Sequence, residues 1–274
     1  MDTQIEPKLY VAFSQFLEKS CGIVLGDSKQ YLVKSRLTPL SKIAKSESIN
    51  AYIDSIIKGN KQHQLDAIEA MTTNETLWFR DDYPFDLLRD SILSQFSEKK
   101  HPVRVWSAAC SSGQEAYSIA MTISNFKKIR TNSFRSGIEI IGTDISQQML
   151  QHCNTAEYDS LATSRGLPNQ FQIDYFEAID KDKLRLKPEV KNMAKFMSLN
   201  LLDSYGSLGK FDIVFCRNVL IYFSTEVKKQ ILQKIAACLQ PDGVLFLGAS
   251  ESISGLTDEF VMVKCKRGLY YIKK

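Results

Sequence analysis

No apolar run in this chain approaches the roughly 20 residues that a membrane-spanning helix needs, so the protein is not expected to be inserted in a bilayer. Its first residues, Met-Asp-Thr-Gln-Ile-Glu, carry neither the basic nor the apolar segment of an export signal. None of the six cysteines (Cys21, Cys110, Cys153, Cys216, Cys238, Cys265) belongs to a Cys-x-x-Cys pair. Neither a metal site nor a disulfide framework is therefore expected, and a reducing cytoplasm is the expected location. Only three histidines occur, His63, His101 and His152, widely separated. A net charge of +4 over 274 residues does not by itself argue for nucleic acid. Repeats and low-complexity segments are also missing. What remains is an ordinary globular composition, 44% apolar and 24% charged. The length suits one large domain, or an α/β domain with a smaller companion.

The stretch from Val103 to Ala120 organises the chain. Val103 to Ala108 is short, apolar and β-branched, as a buried parallel strand requires. Ala116, Ile119, Ala120 and Ile123 follow at the spacing of one helix face. The small-residue turn between them, Ala108 to Gly113, places Gly113 where a tight turn opens a helix. Ligands bind beside such strand–turn–helix units because free N–H groups face the crevice. The turn holds a single glycine, so the dinucleotide fingerprint fails. Glu115, in the first helical turn, would repel a pyrophosphate and attract an ammonium or sulfonium, which points towards S-adenosylmethionine. It could equally serve only the helix dipole.

Residues 1–70 read as a small helical domain. An apolar stripe (Leu9, Ala12, Phe13, Phe16, Leu17) closes near Gly22, and further helices are expected over Ile49–Ile57 and Gln62–Ala70. Between them, Lys29, Lys34, Arg36, Lys42 and Lys45 occur with no acidic residue, interrupted by Pro39, which predicts two helical pieces. The basic stretch is either a solvated face or a docking surface for an acidic partner; solvated faces usually mix both signs. Residues 71–95 form a connector expected to line a cleft, with Thr73 or Asn74 as alternative helix caps, and with a helix over Pro84–Gln95. Residues 96–274 alternate strand and helix. Ile138–Asp144 is a second strand whose terminal Asp144 suits ribose hydroxyls or a helix cap. A β excursion is expected within 171–195, a third core strand at Lys195–Asn200, and a fourth at Phe211–Cys216. After a helix capped by Ser224 and a Pro241–Gly243 turn, strands are expected at Val244–Leu247, Phe260–Cys265 and Leu269–Ile272, the last two as an antiparallel hairpin. This is the α/β, Rossmann-like seven-stranded pattern of S-adenosylmethionine-dependent methyltransferases, and alternation alone also fits other Rossmann-like enzymes.

Six motifs in order, Thr72-Thr-Asn-Glu-Thr-Leu-Trp-Phe-Arg80, Trp106-Ser-Ala-Ala-Cys-Ser-Ser-Gly-Gln-Glu115, Gly142-Thr-Asp-Ile-Ser146, Arg165-Gly-Leu-Pro168, Phe215-Cys-Arg-Asn-Val-Leu-Ile-Tyr-Phe223 and Leu247-Gly-Ala-Ser-Glu-Ser252, resemble the CheR-type chemotaxis protein methyltransferases. The resemblance covers nearly the whole chain. It implies methyl transfer from S-adenosylmethionine to glutamate carboxylates on the cytoplasmic helical bundle of membrane chemoreceptors, leaving S-adenosylhomocysteine. It places cofactor contacts at Asn74, Thr76, Arg80, Glu115, Asp144, Asn200, Leu201, Arg217 and Asn218, and receptor docking at Lys29, Lys34, Arg36, Lys42 and Lys45. Pro39 and Leu40 interrupt a run that is more continuously basic in other members. Some members grip a receptor's C-terminal peptide with a glycine-rich loop; here Phe176-Glu-Ala-Ile-Asp-Lys-Asp-Lys183 is shorter and glycine-free, so no dependence on that tether is expected.

An acceptor glutamate, with a pKa of about 4.3, is ionised at neutral pH and needs no general base. Arg80 is assigned to the cofactor's methionyl carboxylate, because pairing with the attacking carboxylate would stabilise the ground state. Tyr222 is the candidate for orienting the acceptor, or else a core aromatic beside Phe223. No metal, no nucleic acid and a monomeric state are expected. A non-catalytic cofactor-binding module and a small-molecule methyltransferase are the competing readings; the second leaves the basic stretch unexplained.

Overall fold

The computed structural model describes residues 4–274. Four helices come first: α1 (Pro7–Cys21), α2 (Gln30–Ile43), α3 (Ile49–Ile57) and α4 (Lys61–Met71). They enclose a core of their own around Phe13, Leu17, Val33, Leu37, Tyr52 and Ile53. Helix α2 runs unbroken through Pro39, against the expectation of two pieces. Val33 and Leu37 before the proline and Ser41 after it are all buried. Packing on both sides therefore holds the helix despite the missing N–H, which costs about 3 kcal/mol in a helix interior.

The connector leads into α5 (Tyr83–Leu87) and α6 (Leu93–Phe96), joined by a π-helical turn over Leu88–Ile92. The expected single α-helix is thus interrupted. The wider turn lets Leu88, Ile92, Leu93 and Phe96 all be buried.

The remaining elements are β1 (Val103–Ala108), α7 (Gln114–Ile129), β2 (Ile138–Asp144), α8 (Gln147–Thr155), β3 (Glu157–Asp159), α9 (Ser160–Ser164), α10 (Asn169–Tyr175), β4 (Phe176–Asp180), β5 (Lys183–Leu186), α11 (Pro188–Lys191), β6 (Ala194–Ser198), β7 (Phe211–Cys216), α12 (Thr225–Cys238), β8 (Leu239–Leu247), β9 (Phe260–Cys265) and β10 (Gly268–Lys273). The main sheet has the order β6-β2-β1-β7-β8-β10-β9. Its first five strands pair in parallel, and β10 is antiparallel to both its neighbours. The strand order reverses between β1 and β7, and crevices for ligands open at such a switch point.

Alternate residues of the central strands feed two cores. Val103, Val105, Ile213, Phe215 and Phe246 pack under α7. Trp106, Ala108, Val214, Leu245 and Leu247 pack under α12. Burial on both faces explains why these strands read as continuous apolar runs.

Three details differ from the sequence reading. The excursion is a three-stranded sheet of order β3-β5-β4 that takes its first strand from Glu157–Asp159, upstream of residue 171. Strand β6 forms in the main sheet close to where it is expected, paired with β2, but lies at the edge and is mostly exposed. Pro241 to Gly243 do not end the helix-to-strand link as a free turn but lie within β8, where Asp242 has φ +60° and the pairing with β7 shifts register between Phe211 and Ile213. A bulge absorbs the proline's missing donor.

Candidate functional site

At the carboxyl ends of β1, β2, β6 and β7 lies a cavity of about 320 Å³, within the size range of small-molecule sites. Asn74, Thr76, Arg80, Glu115, Asp144, Asn200, Leu201, Arg217, Asn218 and Tyr222 all line it. The helical block supplies the opposite wall through Cys21, Ile23 to Leu25, Leu32 and Lys29.

The connector reaches the cavity because loops and strand ends hold it there. Trp78 donates its N–H to the Arg165 carbonyl at 3.1 Å. Gly166 has φ +85°, and a Cβ there would sit 2.2 Å from the Trp78 carbonyl oxygen. The Arg165–Pro168 loop therefore clamps the connector. Asn74 offers its carbonyl to the Ser111 hydroxyl at 2.8 Å. The next helix is preceded by Asp82, so Thr73 and Asn74 are not its caps. Phe79, Asp81, Ala109, Ser111 and Asn218 all have positive φ. Strained backbone of this kind persists where surrounding contacts over-determine it, and it clusters at functional sites.

Arg217 is the electrostatic centre. Its side chain is 1% exposed and pairs with Glu115 at 3.0 Å and Asp81 at 2.7 Å. It also donates to the Arg80 carbonyl at 2.7 Å. Glu115 takes a second hydrogen bond from the Ser107 hydroxyl at 2.7 Å. Two carboxylates facing one guanidinium leave an excess of negative charge, which suits a cationic ligand. Arg80 donates to the Glu75 carbonyl at 3.2 Å and makes no ion pair among the described residues. Its guanidinium retains donors for a carboxylate.

Asp144 is nearly buried, with one oxygen accepting the N–H of Ser111 at 2.8 Å and the other that of Ser146 at 2.9 Å. Burial raises its pKa above the ordinary carboxylate range, and these two N–H groups partly oppose the shift. The cap of α8 is Ser146, whose hydroxyl accepts from Met149, so Asp144 is not the capping residue. A carboxylate accepts about four hydrogen bonds, which leaves capacity for two hydroxyl donors of a ligand.

Asn200 bridges the two halves: it donates to the Ser20 carbonyl at 2.7 Å and accepts from Leu202 at 3.0 Å. Tyr222 is half-buried in a 3₁₀ turn, and its carbonyl accepts from Val24 at 3.0 Å. Phe223, not Tyr222, is the buried ring; Gly22 has no Cβ because one would lie 2.6 Å from it.

The basic residues on and beside α2 divide. Lys29, Lys34, Lys42 and Lys45 are exposed. Arg36 instead turns towards the connector, donating to the Met71 and Thr72 carbonyls, both at 2.8 Å, and to the Thr73 hydroxyl at 3.2 Å. Sequence reasoning missed this, and it also missed Asp81, Ser111 and Glu69. Glu69, on α4, accepts from the Ser146 hydroxyl and from the Gln147 N–H at 3.0 Å. Its carboxylate thus ties the helical block to the start of α8. Asp81 next to Arg80 was the one visible signal.

Among the described residues no cluster of histidine, cysteine and carboxylate could hold a metal, and no helix is long and apolar enough to cross a membrane.

Comparison with known proteins agrees with this geometry. Residues 8–72 match the all-alpha domain of the CheR methyltransferases, and residues 74–269 match their SAM binding domain. The chain is 49% identical over 268 residues to a chemotaxis protein methyltransferase of Vibrio parahaemolyticus, covering 97% of each. It is 49% identical over 267 residues to chemotaxis protein methyltransferase Cher2 of Pseudomonas putida, covering 96% of each. With the chemotaxis protein methyltransferase of Escherichia coli it shares 32% over 253 residues, 91% of this chain and 86% of that one. A cavity with one acid at the tip of β2 and another in the first turn of α7, in a chain matched end to end by these proteins, places it in the CheR methyltransferase family, with S-adenosylmethionine as its cofactor.

Proposed function

We propose that the protein transfers methyl groups from S-adenosylmethionine to side-chain carboxylates of glutamates on the cytoplasmic helical bundle of membrane chemoreceptors, as part of sensory adaptation. The observation that carries this reading is one cavity walled on one side by nucleoside-type strand ends and on the other by the helical block that bears the exposed lysines.

When bound, the cofactor supplies a sulfonium methyl group to an oxygen nucleophile. The chain's own residues hold and align. Asp144 accepts the ribose hydroxyls. Arg80 fits the methionyl carboxylate as a bidentate donor, and Glu115, with the charge excess around Arg217, favours the α-ammonium. Asn74, Thr76, Asn200, Leu201 and Asn218 complete the wall. Tyr222, which lines the cavity, orients the incoming carboxylate. No residue acts as general base, since the acceptor is already ionised. Alignment supplies the rate, and well-oriented proximity is worth roughly 7–11 kcal/mol.

Lys29, Lys34, Lys42 and Lys45 draw in the acidic acceptor surface. The β4–β5 hairpin turns at Lys181 and Asp182 without a glycine, which supports a reading in which no receptor tether is gripped there. The protein then acts as a cytoplasmic monomer. Incubation with radiolabelled cofactor and receptor-bearing membranes tests the proposal. Base-labile label on a membrane protein is expected, and label confined to a soluble metabolite, or no turnover, would overturn it.

A further inference from the structure

The segment Leu247-Gly-Ala-Ser-Glu-Ser252 contributes nothing to the cavity lining, yet it sits directly behind it. One oxygen of Glu251 accepts two backbone N–H groups, from Asn218 at 2.7 Å and from Gly248 at 2.8 Å. Asn218 and Gly248 lie just past the ends of β7 and β8, neighbours whose Cys216 and Leu247 stand opposite each other. A single carboxylate oxygen therefore ties two adjacent strand ends together.

What it holds is a left-handed residue. Asn218 has φ +57°, which asparagine adopts more readily than other side chains but which still needs surrounding contacts to fix it. Its side chain lies over Gly248, where a Cβ would come within 2.7 Å of the Asn218 amide nitrogen and 2.8 Å of the Glu251 oxygen. A methyl group there would have to push aside the Asn218 amide or the Glu251 carboxylate that holds the two N–H groups. Among the described residues, four buried side-chain polar atoms lack a partner, and three of them are Arg217 Nε, Asn218 Oδ1 and Glu251 Oε1. Unmet hydrogen-bonding capacity concentrated in one place marks a site built for function over stability. Beyond Asn218 the chain runs straight into Val219 and Tyr222, both lining the cavity.

We propose that Glu251, seated with Gly248, is a positioning residue: it fixes the turn from Asn218 to Tyr222 that walls the cofactor cavity, and it does so as a hydrogen-bond acceptor, not as a charge. It makes no ion pair among the described residues, and its second oxygen meets no cation. An amide oxygen in the same place can accept the same two N–H groups.

The test uses the full chain. Affinity for S-adenosylhomocysteine is measured by calorimetry, alongside kcat and KM for S-adenosylmethionine on receptor-bearing membranes. Glu251→Gln is expected to bind within about threefold of wild type. Glu251→Ala is expected to bind on the order of tenfold more weakly and to lose kcat/KM by on the order of 100-fold. Gly248→Ala is expected to reproduce the alanine defect with the carboxylate intact, which keeps the proposal testable if Glu251→Ala does not fold. Equal losses in Glu251→Gln and Glu251→Ala would overturn the acceptor role. A lower melting temperature with unchanged affinity and kinetics in Glu251→Ala and Gly248→Ala would overturn positioning altogether. The calorimetric arm needs no acceptor, so it remains readable should the receptor-glutamate reading fail.

Discussion

Arg217 and the lysines on and just past α2 are cations used in opposite ways. Arg217 has a side chain 1% exposed and spreads its guanidinium over Glu115, Asp81 and a backbone carbonyl. Lys34, Lys42 and Lys45 stand in solvent with no ion pair among the described residues. A buried guanidinium acts through fixed geometry. An exposed ammonium acts through a field that fades over a Debye length of about 10 Å at 0.1 M salt. The sharpest way to break this contrast is Arg217→Ala. Removing one partner of a buried pair leaves uncompensated charge and costs about 3–5 kcal/mol, so denaturant unfolding should show a loss of that size, and cofactor binding should disappear with it. Arg217→Lys should not restore binding, because one ammonium cannot span three acceptors as a planar fork does. Near-wild-type binding by Arg217→Lys would show that charge alone suffices and erase the distinction.

Asp144 comes next in expected effect. Asp144→Ala should weaken S-adenosylhomocysteine binding on the order of 10- to 100-fold by calorimetry, the worth of hydrogen bonds to a charged group. Its pH dependence carries two opposite signs. Burial raises the folded-state pKa. The stability contribution of a carboxyl raised in this way is present below its unfolded pKa and is lost as pH rises through the folded value. Ligand binding runs the other way, since ribose hydroxyls need the ionised acceptor. Affinity should therefore fall on acidification, starting at a higher pH than an exposed aspartate would give, and this fall should be absent in Asp144→Ala. A wild-type affinity flat across that window would remove Asp144 from the ribose role.

The contrast between the two kinds of cation also marks what the sequence makes legible. Strands β1, β2 and β7 were readable because burial on both faces leaves continuous apolar runs, and Gly113 because a left-handed turn (φ +93°) opens α7. The nine residues assigned to the cofactor and Tyr222 line one cavity. Propensity misled where packing overrode it: Pro39 inside α2, Pro241 inside β8, and the π-helical turn at Leu88. What stayed hidden were single polar residues whose partners lie far away in sequence. Nothing around Glu69 announces Ser146, and nothing around Arg36 announces the carbonyls of Met71 and Thr72. A run of five cations looks uniform on paper, and only the folded chain separates a strut from four exposed lysines.

That separation gives the mildest prediction. If the exposed lysines steer an acidic partner, Lys34→Glu with Lys42→Glu should slow methylation of receptor-bearing membranes several-fold, an effect of the size expected for rim charges, with cofactor affinity unchanged. Added salt should slow wild type and narrow the gap between the two proteins, since screening removes what the substitution removed. Arg36→Ala should behave differently. Its guanidinium braces Met71 to Thr73, which line the cavity, so the loss should appear as a higher KM for the cofactor that salt does not change. If Arg36→Ala instead shows the salt-sensitive defect with cofactor KM intact, Arg36 belongs with the docking cations after all, and α2 presents one basic face in place of a face and a brace.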